Sequence, residues 1–444
     1  MSRSVLNYGT SGSLVTSAQT VAVGFAGGSG VAWSASSSQP NITVSSGTGT
    51  GNGSFMVSAA PGASGTVTVT APGAAQSPLQ VQVNVRAVTP GVPTGSFDTP
   101  VNGATGVAGA ISVTGWALDN IEVLKVDIWR EAVGAEPAGL SYIGDAVFVA
   151  DARTDVEADF PASPYQYRAG WGYMLLTNFL PNNGGSPGPG NGTFALHAIA
   201  HNAAGTSLDL GARTITVDNA HASKPFGTID TPGQGATISG NAYVNFGWAL
   251  TQNPYAISTD ASTLAVIVDG QNIGRPVYNQ YRPDIANFFP GLANSNGAIG
   301  FFSLDTTTLA NGVHTISWVV YDNAGRGDGI GSRYFTVLNN GNSAIAGEEP
   351  VFVPPGGPAE HLEVEMEELG RIELPIGAWK GYSVVNGERR PLPVGSSLKG
   401  GVFYWQAGLG FLGQHQLVFE RPGSGELTVG VTIGNDVSSR SKRR

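Results

Sequence analysis

Apolar and polar residues alternate in short runs along almost the whole chain. Val21, Val23 and Phe25, then Ile42 and Val44, Phe55 and Val57, Val67 and Val69, and Val81, Val83 and Val85 stand at every second position, with Ser- and Gly-rich turns between the runs. A period of two puts one set of side chains on a buried face and the other in water, the mark of a half-buried strand. The alternation returns at Phe194, Leu196, Ala198 and Ala200, and at Val313, Thr315, Ser317 and Val319 against His314, Ile316, Trp318 and Val320. It returns again at Leu362, Val364 and Met366, where Glu363, Glu365 and Glu367 form an acidic solvent face. Further strands are predicted at Val402 to Trp405, Gln416 to Phe419 and Leu427 to Ile433. Asp322-Asn323-Ala324-Gly325 has the residues a hairpin turn needs, since Asn and Gly tolerate positive φ. Many short strands with this punctuation predict an all-β protein built of β-sandwiches.

An internal repeat organises the middle of the chain. Gly95-Ser-Phe-Asp98-Thr99-Pro100, Gly103-Ala-Thr105 and Gly115-Trp116-Ala117-Leu118 recur without a gap as Gly227-Thr-Ile-Asp230-Thr231-Pro232, Gly235-Ala-Thr237 and Gly247-Trp248-Ala249-Leu250. The ends of the two units also match, from Asn191-Gly192 to Ala204-Gly205 and from Asn311-Gly312 to Ala324-Gly325. The expected division is a sandwich over 1–87, repeats over 92–219 and 224–340, a Pro/Gly/Asn-rich linker over 341–359, a last sandwich over 360–436 and a basic tail over 437–444. The four sandwiches would be consecutive, and a short stiff linker with Pro90 and Pro93 would join the first two. Trp116 and Trp248, each beside Gly and Leu in mid-strand, are expected in the sandwich cores.

Composition narrows the class further. The 444 residues include 64 Gly and 27 Pro, and only 12% are charged, so long helices are nearly excluded because an interior Gly costs about 1 kcal/mol. The net charge of −10 is thinly spread, which argues against nucleic acid as a partner. No Cys is present, so disulfides, thiolate metal sites and Cys nucleophiles are excluded. No apolar run approaches the ~18 residues of a membrane span. Met1 is followed by polar residues, so an exported protein of this sequence is expected to be a piece of a longer precursor. The cluster Arg440, Lys442, Arg443 and Arg444 reads as a solvated tail.

Candidate chemistry is sparse. His197 and His201 lie on one predicted strand, where four residues span about 13 Å, too far to share a metal. No nucleophile elbow is present, the Gly-rich turn Ser45 to Gly51 lacks the helix and Lys of a phosphate cradle, and no catalytic or metal site is expected. Calcium at a junction would need Asp98, Asp119, Asp230 or Asp322 to converge, whereas capping of turns is the simpler role. The most distinctive polar feature is Arg153, Asp155, Phe160 and Pro161, repeated at identical spacing as Arg282, Asp284, Phe289 and Pro290. A guanidinium offers a planar fork of donors, so each Arg would pin a crossover loop whose Phe plugs against the sandwich. The alternative is a ligand-facing loop in which Tyr165, Tyr167, Trp171, Tyr278 and Tyr281 stack on sugar faces. The stretch Asn182 to Gly190 reads as an exposed insertion.

Leu6-Asn-Tyr-Gly9, Gln19-Thr-Val21, Trp33 and Asn41-Ile-Thr-Val-Ser45 resemble the BACON family of bacterial immunoglobulin-like modules, although Asn41 stands where that family usually has an aromatic. The paired units are similar to bacterial immunoglobulin-like domains found in tandem in surface or secreted proteins. Gly401-Val-Phe-Tyr-Trp405 and Gly410-Phe-Leu-Gly413, leading into Leu417-Val-Phe419, resemble a cadherin-like bacterial Ig module. These resemblances imply a bacterial extracellular or cell-surface protein without catalysis that serves adhesion, spacing or assembly. Other subunits or surface components would be its partners, with self-assembly through exposed strand edges. The alternative is a carbohydrate-binding accessory segment of a larger secreted enzyme, with glycans as ligands.

Overall fold

A computed structural model describes residues 1–25, 30–184, 190–339, 360–423 and 425–434. The expected linker 341–359, the basic tail 437–444 and most of the Asn182–Gly190 insertion lie outside the described residues. In the first unit a six-stranded sheet, with Val5–Ser11 parallel to Leu79–Ala87, faces a three-stranded sheet of Gln19–Val23, Gly53–Ala59 and Ile42–Ser45. Leu6, Val21, Trp33, Phe55, Val67, Val81 and Val83 fill the space between. The alternating residues read from the sequence are therefore the inward-facing ones.

Each repeat is built on one plan. In the first, Thr94–Thr99, Ala110–Leu118, Gly170–Leu176 and Val147–Phe148 form one sheet, and Ala104–Val107, Ser207–Val217, Gly192–Asn202, Val123–Glu131 and Leu140–Asp145 the other. In the second, Phe226–Thr231, Tyr243–Leu250, Ile299–Leu304 and Val277–Gln280 face Ala236–Ile238, Gly327–Val337, Gly312–Tyr321, Leu264–Val268 and Gln271–Gly274. The last unit sets a five-stranded sheet that includes Glu360–Glu367 and Gly425–Gly434 against Arg371–Pro375, Val402–Gln406 and Ser396–Lys399. Phe403, Trp405, Phe411 and Phe419 are fully buried in it. The chain is thus all-β, four immunoglobulin-like β-sandwiches in succession. Helices are short: α1 (Thr154–Asp159) and α2 (Pro283–Phe288) occupy the same place in the two repeats.

The two Trp residues expected in the repeat cores are not there. Ala117 and Ala249 point inward, so strand alternation turns Trp116 and Trp248 to the outer face of the sheet. There Trp116 lies against Phe160, ring centroids 5.4 Å apart, and Trp248 against Phe289 at 5.5 Å. The glycines beside them serve the core instead. A Cβ at Gly115 would meet the Trp171 ring at 2.5 Å, and one at Gly247 the Trp318 ring at 3.2 Å.

The cores are filled reciprocally. Repeat spacing aligns Trp171 with Gly300 and Ala198 with Trp318. In the first repeat the large ring comes from one sheet and the small residue from the other; in the second the order is reversed. All of Trp171, Ala198 and Trp318 are fully buried, and a Cβ at Gly300 would lie 3.0 Å from the Trp318 ring. Close packing requires this compensation, because volume added or removed on one side alone leaves a clash or a cavity.

Trp318→Ala is expected to cost about 3–5 kcal/mol through the cavity it leaves. Gly300→Trp alone will overpack the same core. The double variant Gly300→Trp/Trp318→Ala, which copies the first repeat, should be more stable than either single variant in chemical denaturation. Additive losses would show that the two positions do not share one volume.

Candidate functional site

The chemistry the sequence offers gathers where modules meet, and the loop carrying α1 or α2 is the centre of each junction. Arg153 sits at the N-terminal boundary of α1. Its Nε and Nη2 donate to Asp155 at 2.9 and 2.7 Å, and its Nη1 donates to Asp98. Arg282 repeats this arrangement, donating to Asp284 through Nε at 2.7 Å and to Asp230 through Nη1. In both repeats, therefore, one guanidinium ties the helical turn to the entry strand of its own sandwich. Phe160 is exposed by 36% and leans on Trp116, whereas Phe289 is buried among Phe226, Trp248 and Phe288.

The aromatic residues considered as sugar platforms occupy other surroundings, and for four of the five the expectation is corrected. Tyr165 and Tyr167 are buried against the first sandwich, Trp171 lies in the core, and the Tyr278 hydroxyl donates to the Ala249 carbonyl at 2.7 Å inside the second repeat. A sugar cannot stack on a ring whose faces are already covered. Tyr281 alone is open, at 63% exposure. Tyr165 and Tyr167 bind the preceding module instead: the Arg3 guanidinium lies 3.4 Å over the Tyr167 ring, and the Tyr165 hydroxyl is 2.6 Å from Ser17 Oγ. Asn7 Nδ2 donates to the Pro161 carbonyl at 3.0 Å. At the next junction Phe179 of the first repeat reaches over the α2 loop, with its ring 5.2 Å from Phe288 and 5.9 Å from Trp248. Each repeat thus presents the same loop to the module before it.

The C-terminal module turns back onto the repeats. Gly170 and Gly172 leave the outer face of the first repeat bare, and the Leu409–Gly410 backbone lies on it: a Cβ at Gly172 would meet the Leu409 Cβ at 2.5 Å. The Leu409 carbonyl accepts a bond from the Tyr334 hydroxyl of the second repeat at 2.6 Å. Ser317 Oγ donates to Gln406 Oε1 at 2.8 Å, and Arg371 Nε to the Gly270 carbonyl at 2.6 Å. One module is thereby fastened to both repeats. It also reaches the first sandwich, where Ser4 Oγ donates to Glu388.

The strongest polar contact of this clamp is buried. Arg390 donates from Nη1 and Nη2 to Glu157 of α1 at 2.9 and 2.8 Å, and from Nη1 to Asp151 at 2.9 Å; Arg390 and Glu157 are 5% and 3% exposed. Two further titratable groups lie on the same module. The Glu368 carboxyl is withdrawn from solvent; Ser112 Oγ donates to it at 2.7 Å, and Thr99, Thr114 and the Gly410 amide face it. Burial raises its pKa to about 7, against the opposing pull of these donors. His415 packs on Trp405 and Phe411, and burial lowers its pKa to about 4, with Asp151, Arg153 and Asp155 the nearby charges.

The remaining candidates are engaged in structural contacts. His197 Nδ1 lies 2.7 Å from Asp209, and His201 Nε2 lies 2.9 Å from Asp127. Asp119 and Asp322 accept backbone amides of their own turns. Among the described residues no three His, Asp or Glu side chains are grouped to hold a metal, and no helix is long and apolar enough to cross a membrane. Glu157, Glu368, Arg390, Tyr334 and Phe179 are the contacts that sequence reasoning did not identify. Comparison of the repeats holds a trace of them, since Ala286 stands at the position of Glu157, Phe301 at that of Gly172, and Val244 and Phe246 at those of Ser112 and Thr114.

No family model and no curated protein matches the chain. Among solved structures, the fibronectin(III)-like modules of Clostridium thermocellum CbhA share 16% identity over 55% of this chain and 95% of theirs, with a TM-score of 0.18. Immunoglobulin domains 1–4 of Sidekick-1 share 10% over 97% and 96%, with a TM-score of 0.23. Protocadherin gammaB7 EC3-6 shares 10% over 97% and 98%, with a TM-score of 0.18. At these scores no functional argument passes from those proteins to this one.

Removing one partner of a buried pair leaves the other charge uncompensated, so Arg390→Ala is expected to cost about 3–5 kcal/mol. It should expose α1 and the Glu388–Arg390 strand to hydrogen exchange together. Arg390→Met/Glu157→Leu, which removes both charges, should restore most of the protection; continued rapid exchange would assign the clamp to other contacts.

The two titrating groups make opposite pH contributions. Glu368 has a folded pKa above its ordinary 4.5, so its contribution is complete below that value and is lost as pH rises through about 7. His415 has a folded pKa below 6.5, so its contribution is complete above that value and is lost as pH falls through about 4. Between them the slopes largely cancel. Glu368→Gln should therefore raise stability at pH 8 relative to the parent by about 2–4 kcal/mol and leave a protein that weakens only on acidification. Melting temperatures between pH 4 and pH 8 check this, and parallel curves for parent and variant would contradict it.

Proposed function

We propose that the protein is a non-catalytic, rigid multimodule unit for adhesion, spacing or assembly, working outside a bacterial cell or at its surface, with other protein subunits or surface components as partners. The observation that carries this reading is the C-terminal module's attachment to the first repeat, the second repeat and the first sandwich at once. Four sandwiches joined only by linkers would bend at every joint, because small polar junctions allow relative motion. Here the Arg390–Glu157 pair, the Tyr334–Leu409 bond and the bare strip at Gly170 and Gly172 fasten the modules across non-consecutive units. A body of this kind holds its surfaces at fixed mutual distances, which is what a spacer or an assembly subunit requires. The residue-level resemblance to bacterial surface modules supports the location, and engagement of the His and Asp candidates in structural contacts supports the absence of catalysis.

Small-angle X-ray scattering tests the rigid body. A compact particle of 444 residues has a radius of gyration of about 22 Å, and four modules end to end would give roughly 40 Å. The value is expected nearer the first figure, rising when Arg390→Ala is introduced. A parent value near the second would remove the basis of the reading.

A further inference from the structure

Among the described residues, the sheet face that the first repeat gives to the C-terminal module is left exposed in the second repeat. Strand register places Phe246, Phe301 and Val277 in one cross-strand row, with Val244 two residues along the same face. The rings of Phe246 and Phe301 are 6.0 Å apart. Val244, Phe246, Val277 and Phe301 are exposed by 45%, 38%, 53% and 37%. An antiparallel sheet with one face in water normally carries polar residues there, so a contiguous apolar row marks an interaction surface.

Comparison with the first repeat narrows the occupant. Ser112 and Thr114 face the Glu368 carboxyl, and Gly172 admits the Leu409–Gly410 backbone. In the second repeat Val244 and Phe246 replace the hydroxyls, and Phe301 fills the bare strip. The C-terminal module of another copy therefore cannot dock there in the same way: its carboxyl would lose its donors and its backbone would meet a ring. An apolar row on a sheet face, with its nearest charges, Asp230 and Arg282, already paired with each other, is best covered by another of the same kind, since two sheets pack about 10 Å apart through interdigitating side chains. We propose that this face of the second repeat pairs with the same face of a second copy of the chain, about a twofold axis. A twofold contact is self-complementary, and the row holds no charge to repel its own image.

The patch continues into an established junction. Trp248 follows Phe246 on the same face, and Phe288 and Phe179 above it remain 49% and 48% exposed although they pack on one another. Four strands by about six residues span at most roughly 400 Å² per partner, part of it under the α2 loop at Trp248, so the contact is no more than half of a standard interface. The dimer should therefore be no tighter than about micromolar. This surface rests on the assembly reading above, whose rigid body is tested separately by scattering from dilute monomer.

Sedimentation of the full chain from about 1 to 100 µM, bracketing that affinity, should show concentration-dependent dimers. Phe246→Glu and Phe301→Glu, each at an exposed position, should each weaken association at least tenfold, because like charges then face each other. Unchanged melting temperatures would show that the variants remain folded. Val244→Thr/Phe246→Thr, which restores the first repeat's polarity, gives the same readout without added charge. Tyr142→Glu, on the exposed edge of the other sheet in the first repeat, should leave association unchanged. A parent monomeric at every concentration, dimers that persist in both Glu variants, or equal loss with Tyr142→Glu would each overturn the proposal.

Discussion

The rest of the arrangement depends on the approach of one backbone to another, Leu409–Gly410 against the strand that carries Gly170 and Gly172. Side chains at those two positions would hold the modules apart, and the contacts that ring the strip would then be out of reach. With the strip bare, the Leu409 carbonyl meets the Tyr334 hydroxyl of the other repeat, Glu368 comes under Ser112, and Arg390 reaches Glu157. Buried polar groups give little net stability, because taking them out of water costs nearly as much as their bonds return. What they contribute is selection: a C-terminal module moved from this place would part Tyr334 from Leu409, Ser112 from Glu368 and Glu157 from Arg390 together.

The two repeats separate what the fold needs from what each copy does with it. The Asp98–Arg153–Asp155 and Asp230–Arg282–Asp284 ties are the same, and so is the reception of the preceding module by the α1 or α2 loop. Their lateral faces differ. Glycines and hydroxyls in one repeat, against Phe and Val in the other, give one frame two kinds of surface. The reciprocal placement of Trp171 and Trp318 makes the same point inside the sandwiches, where total volume is kept while its source moves from sheet to sheet.

Strand alternation made the sandwiches legible, and identical spacing marked Arg153 and Arg282 as residues with a shared task. Reading Trp116 and Trp248 as core residues failed for a local reason. A strand has two faces, and both are apolar here because the outer one is capped by the helical turn and its Phe. Tyr165 and Tyr167 looked like ligand platforms because aromatic rings on a loop suggest exposure; Ser17 and Arg3, more than a hundred residues earlier in the chain, are what cover them. Arg390 and Glu157 gave no sign, since the 233 residues between them hide the pairing, and the one short-range partner of Arg390, Glu388 at 3.3 Å, is what any surface strand could carry.

The sequence by itself determined the class of structure: period-two alternation, abundant turn residues, scarce charge and an internal repeat leave little besides successive sandwiches. These are properties of nearest neighbours along and across a strand, and they are written locally. Tertiary structure alone decided which faces are closed and which remain open, because that depends on groups hundreds of residues apart meeting with matching shape and charge. Gly172 and Phe301 occupy the same place in the same fold, and only the arrival of Leu409 at one of them distinguishes an internal joint from a free surface.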